Sequence, residues 1–102
     1  MDIRSLRYAI TLAEELHFGR AAERHYISAQ PFGRHIQGLE RELGVQLFAR
    51  TSRRVTLTPA GTRVMAEIRV ILAAVDALTD PHRWADEVET PVGADKRNGR
   101  RG

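Results

Sequence analysis

The hydrophobic periodicity changes twice along the chain, and these changes restrict the folds that it can adopt. From Phe32 to Leu43 the apolar residues recur three or four apart, as on one buried face of a helix. Between Leu47 and Thr58 the pattern becomes two short β-type runs separated by a polar turn. Helical spacing returns after Pro59. We therefore predict a mainly α fold that contains one short two-stranded hairpin.

Two further helices are predicted before Phe32. Asp2 is a suitable N-cap for a first helix that ends near Leu16. After a break at residues 17–19, a short second helix is predicted over residues 20–25, with Gly19 as its cap. Three helices followed by a hairpin are the element order of a winged helix-turn-helix fold.

The third helix has well-marked ends in the sequence. Ser28 is expected to cap it through its hydroxyl, and Pro31 falls in the first turn, where a missing N–H costs nothing. Gly44 stands where a left-handed residue commonly ends a helix. The face expected to be buried consists of Phe32, Ile36, Leu39 and Leu43.

The opposite face of the third helix carries glutamine and arginine. The residues on it are Gln30, Arg34, Gln37 and Arg41. Glutamine and arginine make bidentate contacts to adenine and guanine edges in the major groove of DNA. A recognition helix usually presents its N-terminal residues to the bases. An ordinary solvent-facing helix can show the same pattern, so this face alone leaves both interpretations open.

The expected hairpin is basic. Arg50, Arg53 and Arg54 have no acidic neighbour in its turn, and a basic hairpin can reach a minor groove or its phosphates. The net charge is only +3, but the stretch from Arg20 to Arg54 contains seven arginines and three glutamates. This distribution indicates nucleic acid as the partner, and a solubilising turn is the alternative.

A long fourth helix is predicted after the hairpin. Thr58 is its expected cap, Pro59 occupies its first position, and Asp80-Pro81 ends it. Trp84 and Val88 could extend it by a turn or two. Its apolar residues follow the a/d spacing of a coiled coil, with Met65 widening the contact face. The predicted dimerisation surface consists of Val64, Ile68, Ile71, Leu72, Val75 and Leu78. An amphipathic helix packed on its own domain is the alternative.

Five stretches resemble the N-terminal domain of LysR-type bacterial transcriptional regulators. They are Phe18–Glu23, Ile27–Ile36, Leu39–Gly44, Leu47–Arg50 and Arg54–Gly61. The resemblance covers about residues 2–80. It implies a winged helix-turn-helix over residues 1–61, a linker and dimerisation helix over residues 59–80, and double-stranded DNA bound by a homodimer or a higher oligomer. In the family the start of the third helix enters the major groove, and Arg53 would reach the adjacent minor groove or backbone. The predicted DNA-binding residues are Ser28, Ala29, Gln30, Pro31, Gly33, Arg34, Gln37, Arg50, Arg53 and Arg54.

The chain departs from the family pattern in ways that bear on its function. Ala29 stands where family members often have glutamine, Gly33 replaces the usual serine and Gly19 the usual threonine, which leaves the base preference open. From His82 onward nothing resembles the family's effector-binding domain. We therefore expect a short natural product, with a fragment of a longer regulator as the alternative. Residues 81–102 are expected to form a mostly flexible tail, and no response to a small-molecule effector is expected. An alternative function is a dimerisation module that sequesters full-length relatives.

The sequence shows no catalytic or metal-binding pattern. Its four histidines lack metal-ligand spacing, it contains no cysteine, and glutamates such as Glu40 are interpreted as helix-surface charges. We therefore expect neither an enzyme nor a cofactor. No apolar run approaches the roughly 18 residues of a membrane span, and a cytoplasmic, nucleoid-associated location is expected.

Overall fold

The computed structural model describes residues 1–87 and confirms the predicted order of elements. Its α-helices and strands are α1 (Ile3–Glu15), α2 (Phe18–Arg24), α3 (Ala29–Leu43), β1 (Phe48–Arg50), β2 (Val55–Leu57) and α4 (Pro59–Leu78). The strands pair antiparallel, with Phe48 opposite Leu57 and Arg50 opposite Val55. A 3-10 helix, Pro81–Glu87, follows α4. The β1–β2 hairpin therefore lies between the helix-turn-helix and the long last helix.

The core forms where α1, α2 and α3 pack on one another, and α4 packs across α1. Phe32, Ile36 and Leu39 are almost completely buried, as the periodicity of α3 predicts. Leu43 was also expected on this buried face, but it is 37% exposed. It lies in the last turn of α3, outside the buried cluster, so the apolar face of the helix ends one turn earlier than predicted.

Three predicted helix ends are confirmed. Asp2 Oδ1 accepts a hydrogen bond from the Ser5 amide at 2.8 Å, and this bond lowers the pKa of the Asp2 carboxyl. Thr58 Oγ1 accepts from the Gly61 amide at 2.9 Å and caps α4. Gly44 ends α3 in the left-handed conformation, with φ of 72°. Each cap satisfies backbone groups that the helix itself leaves without a partner.

One predicted cap is wrong, and a second is confirmed in position but not in its hydrogen bond. Gly19 lies inside α2, and the helix is capped by His17, whose Nδ1 accepts from the Arg20 amide at 3.0 Å. An imidazole nitrogen replaces the usual hydroxyl or carboxylate oxygen there, and cap preferences do not anticipate it. Ser28 occupies the N-cap position of α3, but its side chain makes no capping hydrogen bond.

The predicted extension of α4 through Trp84 is also wrong. The helix ends at Leu78, because the Asp80-Pro81 step breaks its backbone hydrogen bonding, and the separate 3-10 helix follows. The Trp84 indole Nε1–H donates to the Leu78 carbonyl at 2.8 Å, so Trp84 caps the helix that it was expected to continue. Val88 and residues 89–102 of the predicted tail lie outside the described residues.

The predicted dimerisation surface is divided between the domain's own core and the solvent. Ile68 and Leu72 are 3% and 8% exposed and belong to the buried cluster, together with Met65. Ile71 and Leu78 are exposed at 43% and 64%. Val64 and Val75 are intermediate. Because Ile68 and Leu72 are covered within the chain, only part of the predicted surface is open to a second molecule.

The turn between α2 and α3 holds a tyrosine in the left-handed conformation. Tyr26 has φ of 59° and is 95% exposed. Its amide donates to the Glu23 carbonyl at 3.0 Å, and the Ile27 amide donates to the Ala22 carbonyl at 3.2 Å. These two bonds form a Schellman motif, in which glycine is the usual left-handed residue. The tyrosine is therefore strained without gaining packing within the domain.

A Tyr26→Gly variant is expected to raise the free energy of unfolding by about 1 kcal/mol, because glycine adopts this φ without a steric cost. This corresponds to roughly 4–8 °C in Tm for a domain of this size. Thermal unfolding followed by circular dichroism measures it. Tyr26→Ala is the matched control, since it removes the same ring but keeps the strain. An equal gain in both variants would contradict the explanation.

Candidate nucleic-acid interface

The polar face of α3 lies open along the length of the helix. Gln30, Arg34, Gln37 and Arg41 are all exposed, while the opposite face is buried against α1 and α2. At the start of the helix, Ser28 and Ala29 are exposed and Pro31 and Gly33 are half-buried. The residues predicted to contact DNA from α3 therefore lie together, and the described chain does not cover the face that they form.

The hairpin adds one residue directly to this face. A shallow depression of about 560 Å³ runs along α3 between the start of α2 and strand β1. Its lining residues are Phe18, Ala29, Gln30, Gly33, Arg34, Gln37 and Arg50. Arg50 therefore comes close to the predicted reading face, although residues 44–49 lie between it and the end of α3 in the sequence.

The other two hairpin arginines lie in the turn. The Thr51 amide donates to the Arg54 carbonyl at 2.9 Å and closes this turn, and the Arg53 amide lies 3.3 Å from Thr51 Oγ1. Arg53 and Arg54 are both exposed. The structure thus separates the three arginines, with Arg50 beside α3 and the other two at the end of the hairpin.

Ion pairs divide the arginines of the domain into two groups. Arg7, Arg20 and Arg24 pair with carboxylates of α1 or α4, at distances of 2.8–3.4 Å. Within residues 1–87, no carboxylate pairs with the arginines of α3 and the hairpin, which are Arg34, Arg41, Arg50, Arg53 and Arg54. The positive charge on this side of the domain is therefore available to an anionic partner, such as a phosphate backbone.

Glu40 is not the simple surface charge that the sequence suggests. Its carboxylate Oε2 accepts hydrogen bonds from the Leu47 amide at 2.7 Å and from the Phe48 amide at 3.1 Å. The left-handed turn at Gly44 brings the chain back over the end of α3, where these two amides meet Glu40. Charge-assisted bonds of this kind are about twice as strong as neutral ones. Glu40 therefore fixes the start of the hairpin to the helix that carries the reading face.

Phe18 is a second residue that the sequence analysis did not single out. The Arg50 guanidinium carbon lies 4.5 Å from the centre of its ring. The same ring packs edge to face with Phe32, with centroids 6.2 Å apart. The aromatic residue at the start of α2 was noted only as part of a family motif, and nothing in the local pattern connects it with Arg50.

The histidines serve packing and hydrogen bonding. His25 Nε2 lies 2.8 Å from Thr11 Oγ1, and burial lowers the pKa of its imidazole. His35 Nδ1 lies 3.3 Å from Ser5 Oγ. Among the described residues, no group of three or more potential metal ligands is placed to hold an ion. Over the same part of the chain, no helix combines the length and the hydropathy needed to cross a membrane.

Three helices, an exposed polar third helix and a basic hairpin define a winged helix-turn-helix DNA-binding domain. Residues 3–62 match the family described as "Bacterial regulatory helix-turn-helix protein, lysR family", and the chain belongs to this family. The match confirms the resemblance noted in the sequence. It also confirms the prediction of a helix-turn-helix DNA-binding domain of this family.

Known regulators and DNA complexes resemble the chain over most of its length. It is 52% identical over 90 residues to the HTH-type transcriptional regulator IlvR of Caulobacter vibrioides, covering 88% of this chain and 30% of IlvR. It is 54% identical over 71 residues to XapR of Escherichia coli, covering 70% of this chain and 24% of XapR. The chain thus spans less than a third of the length of these relatives.

Two solved structures with similar folds contain DNA. The BenM DNA-binding domain in complex with catB site 1 DNA has a TM-score of 0.78 and 36% identity, covering 87% of this chain and 96% of that chain. The CbnR DNA-binding domain in complex with DNA has a TM-score of 0.78 and 37% identity, and the match covers 84% of this chain and 99% of the CbnR chain. The fold described above is therefore one that binds DNA in other proteins.

Proposed function

We propose that the chain binds specific operator DNA by placing α3 in the major groove. The exposed glutamine and arginine face of α3, opposite a fully buried face, is the observation that carries this proposal. Gln30 and Arg34 stand in the N-terminal half of the helix, from which recognition helices usually contact base edges. Arginine reads guanine and glutamine reads adenine through paired hydrogen bonds. Ser28, Ala29, Pro31, Gly33 and Gln37 complete the proposed contact surface on α3.

The hairpin arginines have a different role in this proposal. Arg50 lies beside α3 and is positioned for a phosphate of the strand that borders the major groove. Arg53 and Arg54 lie at the hairpin turn, where they can reach the next minor groove or its backbone. The absence of carboxylate partners for these side chains within residues 1–87 supports contacts to phosphate.

Selection of DNA from a genomic fragment library, followed by gel-shift assays, tests the proposed function. The chain should retain a limited set of sequences and bind them more tightly than random DNA at physiological salt. Affinity should fall steeply with salt, with a log–log slope of about −0.9 for each phosphate contact. Equal affinity for all duplexes at physiological salt would refute operator recognition, even if binding at low salt remained.

We also propose that two copies associate through the free side of α4. Ile71 and Leu78 are exposed there at 43% and 64%. Val64 and Val75 are half-buried at the edge of the same surface, while Ile68 and Leu72 hold α4 on its own domain. A homodimer would place two α3 helices on half-sites about one helical turn apart, or a multiple of it. Such a regulator would act on the nucleoid in the cytoplasm.

An Ile71→Asp variant should convert the proposed dimer to a monomer, because it places a charge in the apolar contact. Sedimentation analysis of the intact chain measures the mass. Ala73→Asp is the matched control, since it introduces the same charge about 200° around the helix from Ile71. A monomeric wild-type chain at concentrations that bind DNA, or equal masses for both variants, would contradict dimerisation through this surface.

The same α4 surface supports a second candidate role, the capture of longer LysR-family relatives in mixed dimers. The observation that favours this role is the exposed apolar side of α4, through which two chains could associate without DNA. Cross-linking of this chain with a full-length relative separates the two roles. Arg34→Ala should impair operator recognition but should leave mixed-dimer formation, and therefore the capture role, unchanged.

A further inference from the structure

Phe18 lies between the buried core and the basic face. It is the first residue of α2 and is half-exposed. Its ring packs edge to face with that of Phe32, which is completely buried, at an interplanar angle of 86°. A Cβ added at Gly33 would lie 3.9 Å from two Phe18 ring carbons, so the ring packs closely against α3 as well. The core thus fixes the orientation of Phe18.

The Arg50 side chain lies over the Phe18 ring. The guanidinium carbon is 4.5 Å from the ring centre, which is within the range of a cation–π contact. In residues 1–87 no carboxylate pairs with Arg50. A long arginine side chain on a hairpin would otherwise sample many rotamers, and ordering it on binding costs conformational entropy.

The contact with Phe18 leaves the hydrogen-bonding capacity of Arg50 unused. Within residues 1–87 the Arg50 side chain makes no hydrogen bond to another residue, so the N–H groups in the plane of its guanidinium are free. A carboxylate partner would occupy these donors, but an aromatic ring does not. The planar fork is therefore held in position and remains free to bind a phosphate through two hydrogen bonds.

We infer that Phe18 is a positioning residue that holds the Arg50 guanidinium beside α3 for a DNA phosphate. This inference rests on the proposed function and adds a residue to it. Arg53 and Arg54 have no such aromatic support in the described structure, so Arg50 is the preordered member of the three hairpin arginines. The contact is to the DNA backbone, and it should therefore act on every duplex, whatever its sequence.

A double-mutant cycle on a random-sequence DNA duplex tests the inference. Dissociation constants are measured across a salt series for the wild type, Phe18→Leu, Arg50→Ala and the double variant. Phe18→Leu should weaken binding about two- to fivefold, the range expected for a cation–π contact, and should make the salt slope shallower. It should cause no further loss in the Arg50→Ala background. Full additivity of the two losses, or an unchanged affinity in Phe18→Leu, would overturn the inference.

Nuclear magnetic resonance of the wild type tests the contact between Phe18 and Arg50 without relying on a variant that has to fold. The Arg50 side-chain protons should be shifted upfield by the ring current and should show nuclear Overhauser effects to the Phe18 ring protons. Phe18→Tyr should preserve both signals, and Phe18→Leu should remove the shift. Random-coil shifts without these contacts in the wild type would overturn the inference.

The outcomes distinguish this inference from the proposed function. If the wild type binds the random duplex but selects no operator, operator recognition fails, and the cycle still decides the role of Phe18. If the wild type binds no duplex even at low salt, the phosphate role of Arg50 is overturned together with the proposed function. If it selects an operator but the cycle is fully additive, the inference about Phe18 alone fails.

Discussion

An Arg34→Ala variant is expected to fold like the wild type and to lose most of its preference for operator DNA. Arg34 is exposed and has no ion-pair partner within residues 1–87, so its removal leaves no buried group unsatisfied. A bidentate arginine–guanine contact contributes about 1–3 kcal/mol of discrimination. The ratio of operator to random-DNA affinity should therefore fall about ten- to a hundredfold.

Gel-shift titrations on the selected operator and on random DNA measure this ratio. Arg34→Lys retains the charge but not the planar fork, so it should keep the affinity for random DNA and lose operator preference. Arg69→Ala removes one positive charge from an exposed site on α4 and serves as the matched control for net charge. If Arg34→Ala and Arg69→Ala lower both affinities equally, Arg34 does not read bases.

A Gly61→Ala variant is expected to destabilise the domain by more than about 3 kcal/mol, which is large for a single methyl group. A Cβ at this buried position would overlap the Leu47 carbonyl oxygen and lie 2.9 Å from the Leu47 carbonyl carbon. That carbonyl is held in place, because it accepts from the Thr58 amide at 3.0 Å and from Thr58 Oγ1 at 3.2 Å. Neither the backbone at Leu47 nor the backbone at Gly61 can move away without breaking the cap of α4.

Urea unfolding of the free domain measures the loss. Gly38→Ala is the matched control, because the nearest atom to its added Cβ is the flexible end of Arg41 at 3.8 Å. In the middle of α3, alanine should raise the free energy of unfolding by about 0.5–1 kcal/mol over glycine. Unfolding midpoints that change in the same direction for both variants would show that contact with Leu47 does not constrain Gly61.

The fold follows from local patterns that the sequence displays directly. The three- and four-residue spacing of Phe32, Ile36 and Leu39 identified the buried side of α3, and the Thr58-Pro59 pair identified the start of α4. These signals depend on residues close together in the chain. The left-handed end of α3 at Gly44 was predictable for the same reason.

The contacts that organise the candidate interface depend on the tertiary arrangement and were not predictable. Glu40 is an acidic residue near a helix end, and only the returning chain shows that it accepts two amides of the hairpin. Phe18 and Arg50 are distant in sequence, and no periodicity relates them.

For α4, the sequence predicted the helix but not which of its sides is buried. Its apolar residues cover a broad surface, and spacing alone cannot tell which side packs on α1. The structure places Ile68 and Leu72 in the core and leaves Ile71 and Leu78 exposed. A pattern of period three and four therefore predicted the helix but not the division of its surface.

The Glu40 carboxylate joins the reading helix to the hairpin within a single folded unit. The relative placement of the two elements is set when the domain folds, since Glu40 bonds to the Leu47 and Phe48 amides. The conformational entropy of the start of the hairpin is therefore lost when the domain folds, and not when it binds a duplex. More of the interaction with DNA then remains as net binding free energy, which is how rigid recognition surfaces achieve affinity from small contact areas.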